Sequence, residues 1–174
     1  VRLMAVEALA KVAKGRDSAV AAVIECLQDG IRNVRCAAVH SLGQIAEKGD
    51  QRAIVAITQC LNHKDSHVRC AALEVLDQIA QRGDRPAILA VSRCLKDEDR
   101  LTRLGAVKAL VAVAEQGDEQ AVVAVTECSQ DEDAEVRDTA VMALAHMAGT
   151  VGLPWGAPCG FPWPRWPSAE TFWP

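Results

Sequence analysis

Apolar residues follow helical steps through most of the chain. Val34, Ala37, Ala38, Leu42, Ile45 and Ala46 recur at intervals of three and four, the stripe of an amphipathic helix. Ala53, Ile54, Ala56, Ile57, Cys60 and Leu61 form a second such stripe. Between them stand Gly49, suited to the left-handed position past a helix end, and Asp50, a plausible N-cap. A short polar stretch, 62–67, leads to the next helix. The pattern then repeats. Val-Arg stands at Val34-Arg35, Val68-Arg69 and Val136-Arg137, with Thr102-Arg103 in register. Gly15, Gly49, Gly83 and Gly117 lie 34 residues apart, as do Cys26, Cys60, Cys94 and Cys128. Val1-Arg2 opens the chain 33 residues before its successor. Three columns in step over four copies predict a unit of two helices, with Pro86 tolerated in a first helical turn. A fifth first helix is expected from about Val136 to Ala148, with no partner after it.

Two helices cannot bury their apolar faces alone, so the units stack into a one-dimensional solenoid. Small-residue columns (Ala37-Ala38, Ala71-Ala72, Ala106, Ala140) allow close approach and let a core form without aromatics. All six aromatic residues, Trp155, Phe161, Trp163, Trp166, Phe172 and Trp173, lie in the last 21 of 174 positions, with six of the seven prolines. Residues 1–150 therefore read as an all-α solenoid of about four and a half repeats, and 151–174 as an irregular Pro/Trp-rich tail. Three readings of the tail stay open: a non-native end, a cap on the solenoid, or a recognition segment. The chain begins with Val, which suggests a fragment.

The pattern Val-Arg-x-x-Ala-Val/Leu-x-x-Leu-x-x-Ile/Val-Ala, followed by Gly-Asp and an Ala-rich second helix, resembles HEAT repeats. The short variety called PBS-lyase-like, or E-Z-type, is the nearest likeness. Tetratricopeptide and ankyrin units are disfavoured because the aromatic positions and the Thr-Pro-Leu-His run are absent. The resemblance implies right-handed stacking with second helices lining a concave surface.

Candidate chemistry changes this picture little. No two cysteines have the spacing of a zinc ligand pair, and those of neighbouring repeats stand roughly 10 Å apart, too far for a disulfide. They read as packing thiols, suited to a reducing, cytoplasmic setting. Enzymes of this repeat family that hold di-iron do so through His-Glu dipeptides. His40, His63, His67 and His146 are each followed by another residue type. His63 and His67 read as a solvated loop. The clusters Asp97-Glu98-Asp99 and Asp131-Glu132-Asp133, with Glu135, lack an EF-hand pattern and are expected to meet helix dipoles. The column Arg2, Arg35, Arg69, Arg103 and Arg137 is expected to pair with carboxylates such as Asp65, Asp99 and Asp133, four residues earlier. No cofactor, metal or catalytic residue is predicted.

What varies between repeats is one face of the second helices. Val55, Leu89 and Val123 form an apolar ridge, and Thr58, Gln59, Asn62, Ser92, Arg93, Lys96, Thr126 and Glu127 vary beside it. A constant core beside a varied face suggests a non-catalytic scaffold that binds another protein there. The alternative is a phycobilin lyase subunit or related chromophore-handling protein, which the repeats also resemble. The net charge of −4 disfavours nucleic acid, and no apolar run is long enough for a membrane span. Uncapped solenoid ends would favour self-association.

Overall fold

The computed structural model describes residues 2–12 and 17–148. Gly15 and the Pro/Trp-rich tail lie outside the described residues. The described residues form α1 (Arg2–Val12), α2 (Asp17–Cys26), α3 (Arg32–Ile45), α4 (Gln51–Cys60), α5 (Ser66–Ile79), α6 (Arg85–Cys94), α7 (Arg100–Val113), α8 (Glu119–Cys128) and α9 (Ala134–Met147). Odd-numbered helices are the first of each pair and even-numbered helices the second. The helices stack as a solenoid with one continuous core. Leu42, Ile45, Ile54, Ile57, Leu73, Leu76, Ile79, Ile88 and Leu110 are its largest fully buried side chains.

The helices start where the polar punctuation predicts. Asp50, Asp84 and Asp118 cap α4, α6 and α8, each accepting backbone N–H groups of the first turn. Asp65, Asp99 and Asp133 do the same for α5, α7 and α9. Gly49, Gly83 and Gly117 have φ of 90°, 82° and 79°, so the left-handed backbone is real. They do not end the first helices, however, which stop earlier at Ile45, Ile79 and Val113. Each glycine instead immediately precedes a capping aspartate, and its N–H donates to the last helical carbonyl of the next first helix. The acceptors are Ile79, Val113 and Met147, at 2.7, 2.8 and 3.3 Å. A Cβ at Gly83 would stand 2.7 Å from Glu115 Oε1. The glycine column is thus a joint between repeats.

The two layers are packed unequally. First helices lie side by side along the stack, α1 on α3, α3 on α5, α5 on α7 and α7 on α9, whereas neighbouring second helices touch sparingly. The small residues of the first helices, Ala38, Ala72, Ala106 and Ala140, are fully buried and permit that spacing.

Candidate second-helix recognition face

The eleven candidate residues come from three successive second helices and the turns after them. Val55 on α4, Leu89 on α6 and Val123 on α8 are 51%, 56% and 62% exposed, unlike the sealed core beneath them. Gln59, Asn62, Arg93, Lys96, Thr126 and Glu127 are also exposed, and Thr58 and Ser92 are half-buried. Three hydroxyls beside the ridge are already engaged. Thr58 Oγ1 donates to the Val55 carbonyl at 2.8 Å, Ser92 Oγ to Ile88 at 2.7 Å and Thr126 Oγ1 to Val122 at 2.7 Å. Lys96 Nζ meets Glu127 Oε2 across the gap between repeats at 2.9 Å, which raises the lysine above its ordinary pKa. Sparse contact between α6 and α8 leaves a groove of about 730 Å³ there. Ser92, Lys96, Val123 and Glu127 line it together with Leu95, Arg103, Glu119, Gln120, Ala124, Cys128 and Asp131.

The arginine column holds the loops rather than offering a ladder to a ligand, but its partners differ from those expected. Asp65, Asp99 and Asp133 have oxygens committed to capping their own helices. Arg2, Arg35, Arg69 and Arg103 reach forward instead, to the next repeat. Arg2 meets Asp29 at 2.7 Å, Arg69 meets Asp97 at 2.6 Å, and Arg103 binds Asp131 with Nε and Nη2 at 2.8 and 3.0 Å. Arg35 also reaches forward, but only to Asp65 Oδ2 at 3.6 Å. Nη1 of Arg35, Arg69, Arg103 and Arg137 donates to carbonyls of the loop five or six residues earlier. Asp131 would have its pKa raised by burial, but Arg103 and the Asp133 N–H hold it below the usual carboxylate range. Asp99 and Asp133 serve the helix starts as expected, while Asp97 and Asp131 join the repeats.

The cysteines pack. Cys36, Cys60, Cys70, Cys94 and Cys128 are buried and unpaired, and Cys26 is half-buried and unpaired. Burial pushes Cys60, Cys94 and Cys128 up to about 11 and Cys70 to about 12. Such thiols are poor nucleophiles at neutral pH. Half-buried His63 has a structural part that the loop reading missed: its Nδ1 accepts the Asp65 N–H at 3.0 Å. Among the described residues no group of three or more His, Cys, Asp or Glu could hold a metal ion. No described helix is long and apolar enough to cross a membrane.

One polar row escaped the sequence reading. His40, Glu74 and Lys108 occupy the same position of α3, α5 and α7, 34 residues apart. His40 Nδ1 stands 4.0 Å from Glu74 Oε2, and Glu74 Oε1 is buried without a hydrogen-bond partner. Burial raises Glu74 to about 7, Lys108 opposes that shift and Asp77 adds to it. Burial lowers both His40 and Lys108. The 34-residue spacing of three ionisable residues at one position of the first helices was the available signal.

The sequence matches the family model for HEAT repeats over residues 1–77 and 56–145. The chain belongs to the HEAT-repeat family. Two of the solved structures that match share the fold of this chain. One is the complex of CpcE and CpcF of phycocyanin lyase from Nostoc sp. PCC7120. It is 18% identical, with 80% of this chain and 86% of that chain covered and a TM-score of 0.63. The other is an engineered protein, 23% identical, with 83% and 72% covered and a TM-score of 0.56. No curated protein matches the chain by sequence. The HEAT architecture makes this chain a helical-repeat scaffold.

Proposed function

We propose that this HEAT-repeat protein is a non-catalytic scaffold that holds another protein on its second-helix face. Val55, Leu89 and Val123 supply the apolar contact. Thr58, Gln59, Asn62, Ser92, Arg93, Lys96, Thr126 and Glu127 supply selectivity around it. The observation carrying this reading is the row of three exposed aliphatic side chains, one on each of α4, α6 and α8. Nucleic acid is a poorer ligand, because Arg93 and Lys96 are the only basic candidates and Lys96 is paired with Glu127. A reducing, cytoplasmic setting suits five buried thiols and one half-buried thiol, all unpaired. Self-association is part of the proposal, supported by exposed Met4 on α1 and exposed Val141 and Met142 on α9.

Affinity capture from the native lysate tests the reading, with the whole chain as bait and the double variant Leu89→Glu, Val123→Glu as control. A discrete protein retained by the first and lost by the second is the expected outcome. Identical captures would reject this face. A second reading, a bilin-handling subunit, draws on the likeness of fold to the phycocyanin lyase complex. A visible absorption band that stays with the chain after incubation with bilin would favour it over the scaffold.

A further inference from the structure

We infer that the partner presents an α-helix laid across α4, α6 and α8, with apolar side chains seven residues apart. This rests on the second-helix face being the recognition face. Val55, Leu89 and Val123 stand one per helix, so the ridge repeats at the spacing of packed helices, about 8–10 Å. The sparse contact between second helices puts them toward the wider end of that range. Seven residues of α-helix advance about 10.5 Å and return to nearly the same side, so positions i, i+7 and i+14 meet three ridge residues. In a β-strand three residues advance about 10 Å, but the side chain then points to the opposite face.

A polyproline helix, at three residues and about 9.3 Å per turn, matches this spacing nearly as well. Its backbone N–H and C=O groups that turn toward the ridge would meet the aliphatic side chains of Val55, Leu89 and Val123. The Thr58, Ser92 and Thr126 hydroxyls are turned back onto their own helices. A helix brings its backbone groups already satisfied.

Charge sets the register. Arg93 stands one turn after Leu89, and Glu119 one turn before Val123, on opposite flanks of the ridge. Both are exposed, and neither has an ion pair among the described residues. The complementary helix carries an acidic residue beside its central apolar position and, on its other flank, a basic residue beside the third.

A display library of random 18-residue peptides, selected on the whole chain and counter-selected on Leu89→Glu, Val123→Glu, reads this directly. The expected result is enrichment of peptides with apolar residues at i, i+7 and i+14 and an acidic residue near i+7. They should lose at least tenfold in affinity on Leu89→Glu and gain helicity on binding. With Arg93→Glu as bait, the enriched residue near i+7 should become basic. Enriched peptides with two- or three-residue apolar spacing would overturn the helix while leaving the face intact. Peptides insensitive to Leu89→Glu, or none that depend on the face, would overturn the face itself. Circular dichroism of each bait separates lost binding from lost folding.

Discussion

His63 stands where other repeats carry aspartate. Asp29, Asp97 and Asp131 each accept a backbone N–H two residues on and an arginine from the preceding repeat. His63 does only the first. Arg35 is consequently left with a carboxylate no nearer than 3.6 Å. His63→Asp should restore that contact and stabilise the fold by about 1 kcal/mol, a rise of a few degrees in thermal midpoint. A fall would show that the imidazole packs better than the ion pair. Gly83→Ala should cost about 1–3 kcal/mol, since it meets both a φ of 82° and Glu115. Adding Glu115→Ala should recover only the part due to the clash. Glu74 gives the molecule a pH dependence. Its folded pKa, about 7, lies above the ordinary 4.5, so its contribution is full below about pH 4.5 and is lost as pH rises to about 7. Glu74→Gln should flatten that part of the stability profile and stabilise the chain above pH 7, by up to about 3 kcal/mol. An unchanged profile in urea titrations would show that Glu74 titrates normally.

At the scale of helices, nearly everything local was legible in the sequence. The stripes gave the buried faces, and Asp50, Asp84 and Asp118 gave the second-helix starts. What the sequence did not show lies between repeats. The sequence offers Arg103 a nearby carboxylate in Asp99, four residues earlier. Asp99 is spent on the N–H and hydroxyl of Thr102, so the guanidinium crosses to Asp131, 28 residues on. The glycines likewise have a positive φ that the sequence signals, but their bonds to the next first helix depend on stacking that no local pattern encodes. Asp131→Ala leaves the almost buried Arg103 without its bidentate partner and should cost about 3 kcal/mol. Because interfaces in a solenoid are nearest-neighbour, hydrogen exchange should quicken in α8 and α9 and much less in α3 and α4. Uniform quickening would argue for a single cooperative unit.

Across the whole molecule, the repeat made the fold readable and left the function only partly so. A core that recurs every 34 residues announces itself, whereas a recognition surface is the part that does not recur. The sequence could pick Val55, Leu89 and Val123 as outward positions, and they are exposed. It could not foresee the groove between α6 and α8, which follows from the unequal spacing of the layers. It also passed over the row of His40, Glu74 and Lys108, whose character depends on burial between adjacent first helices. The central claim is that a partner protein sits on the second helices. Site-specific photo-crosslinking in the native lysate tests it most directly, with the probe placed in turn at position 89 on α6 and at exposed positions 33 on α3 and 78 on α5. The account predicts a discrete protein adduct from position 89 and none from 33 or 78. Adducts from the first-helix positions alone would contradict it.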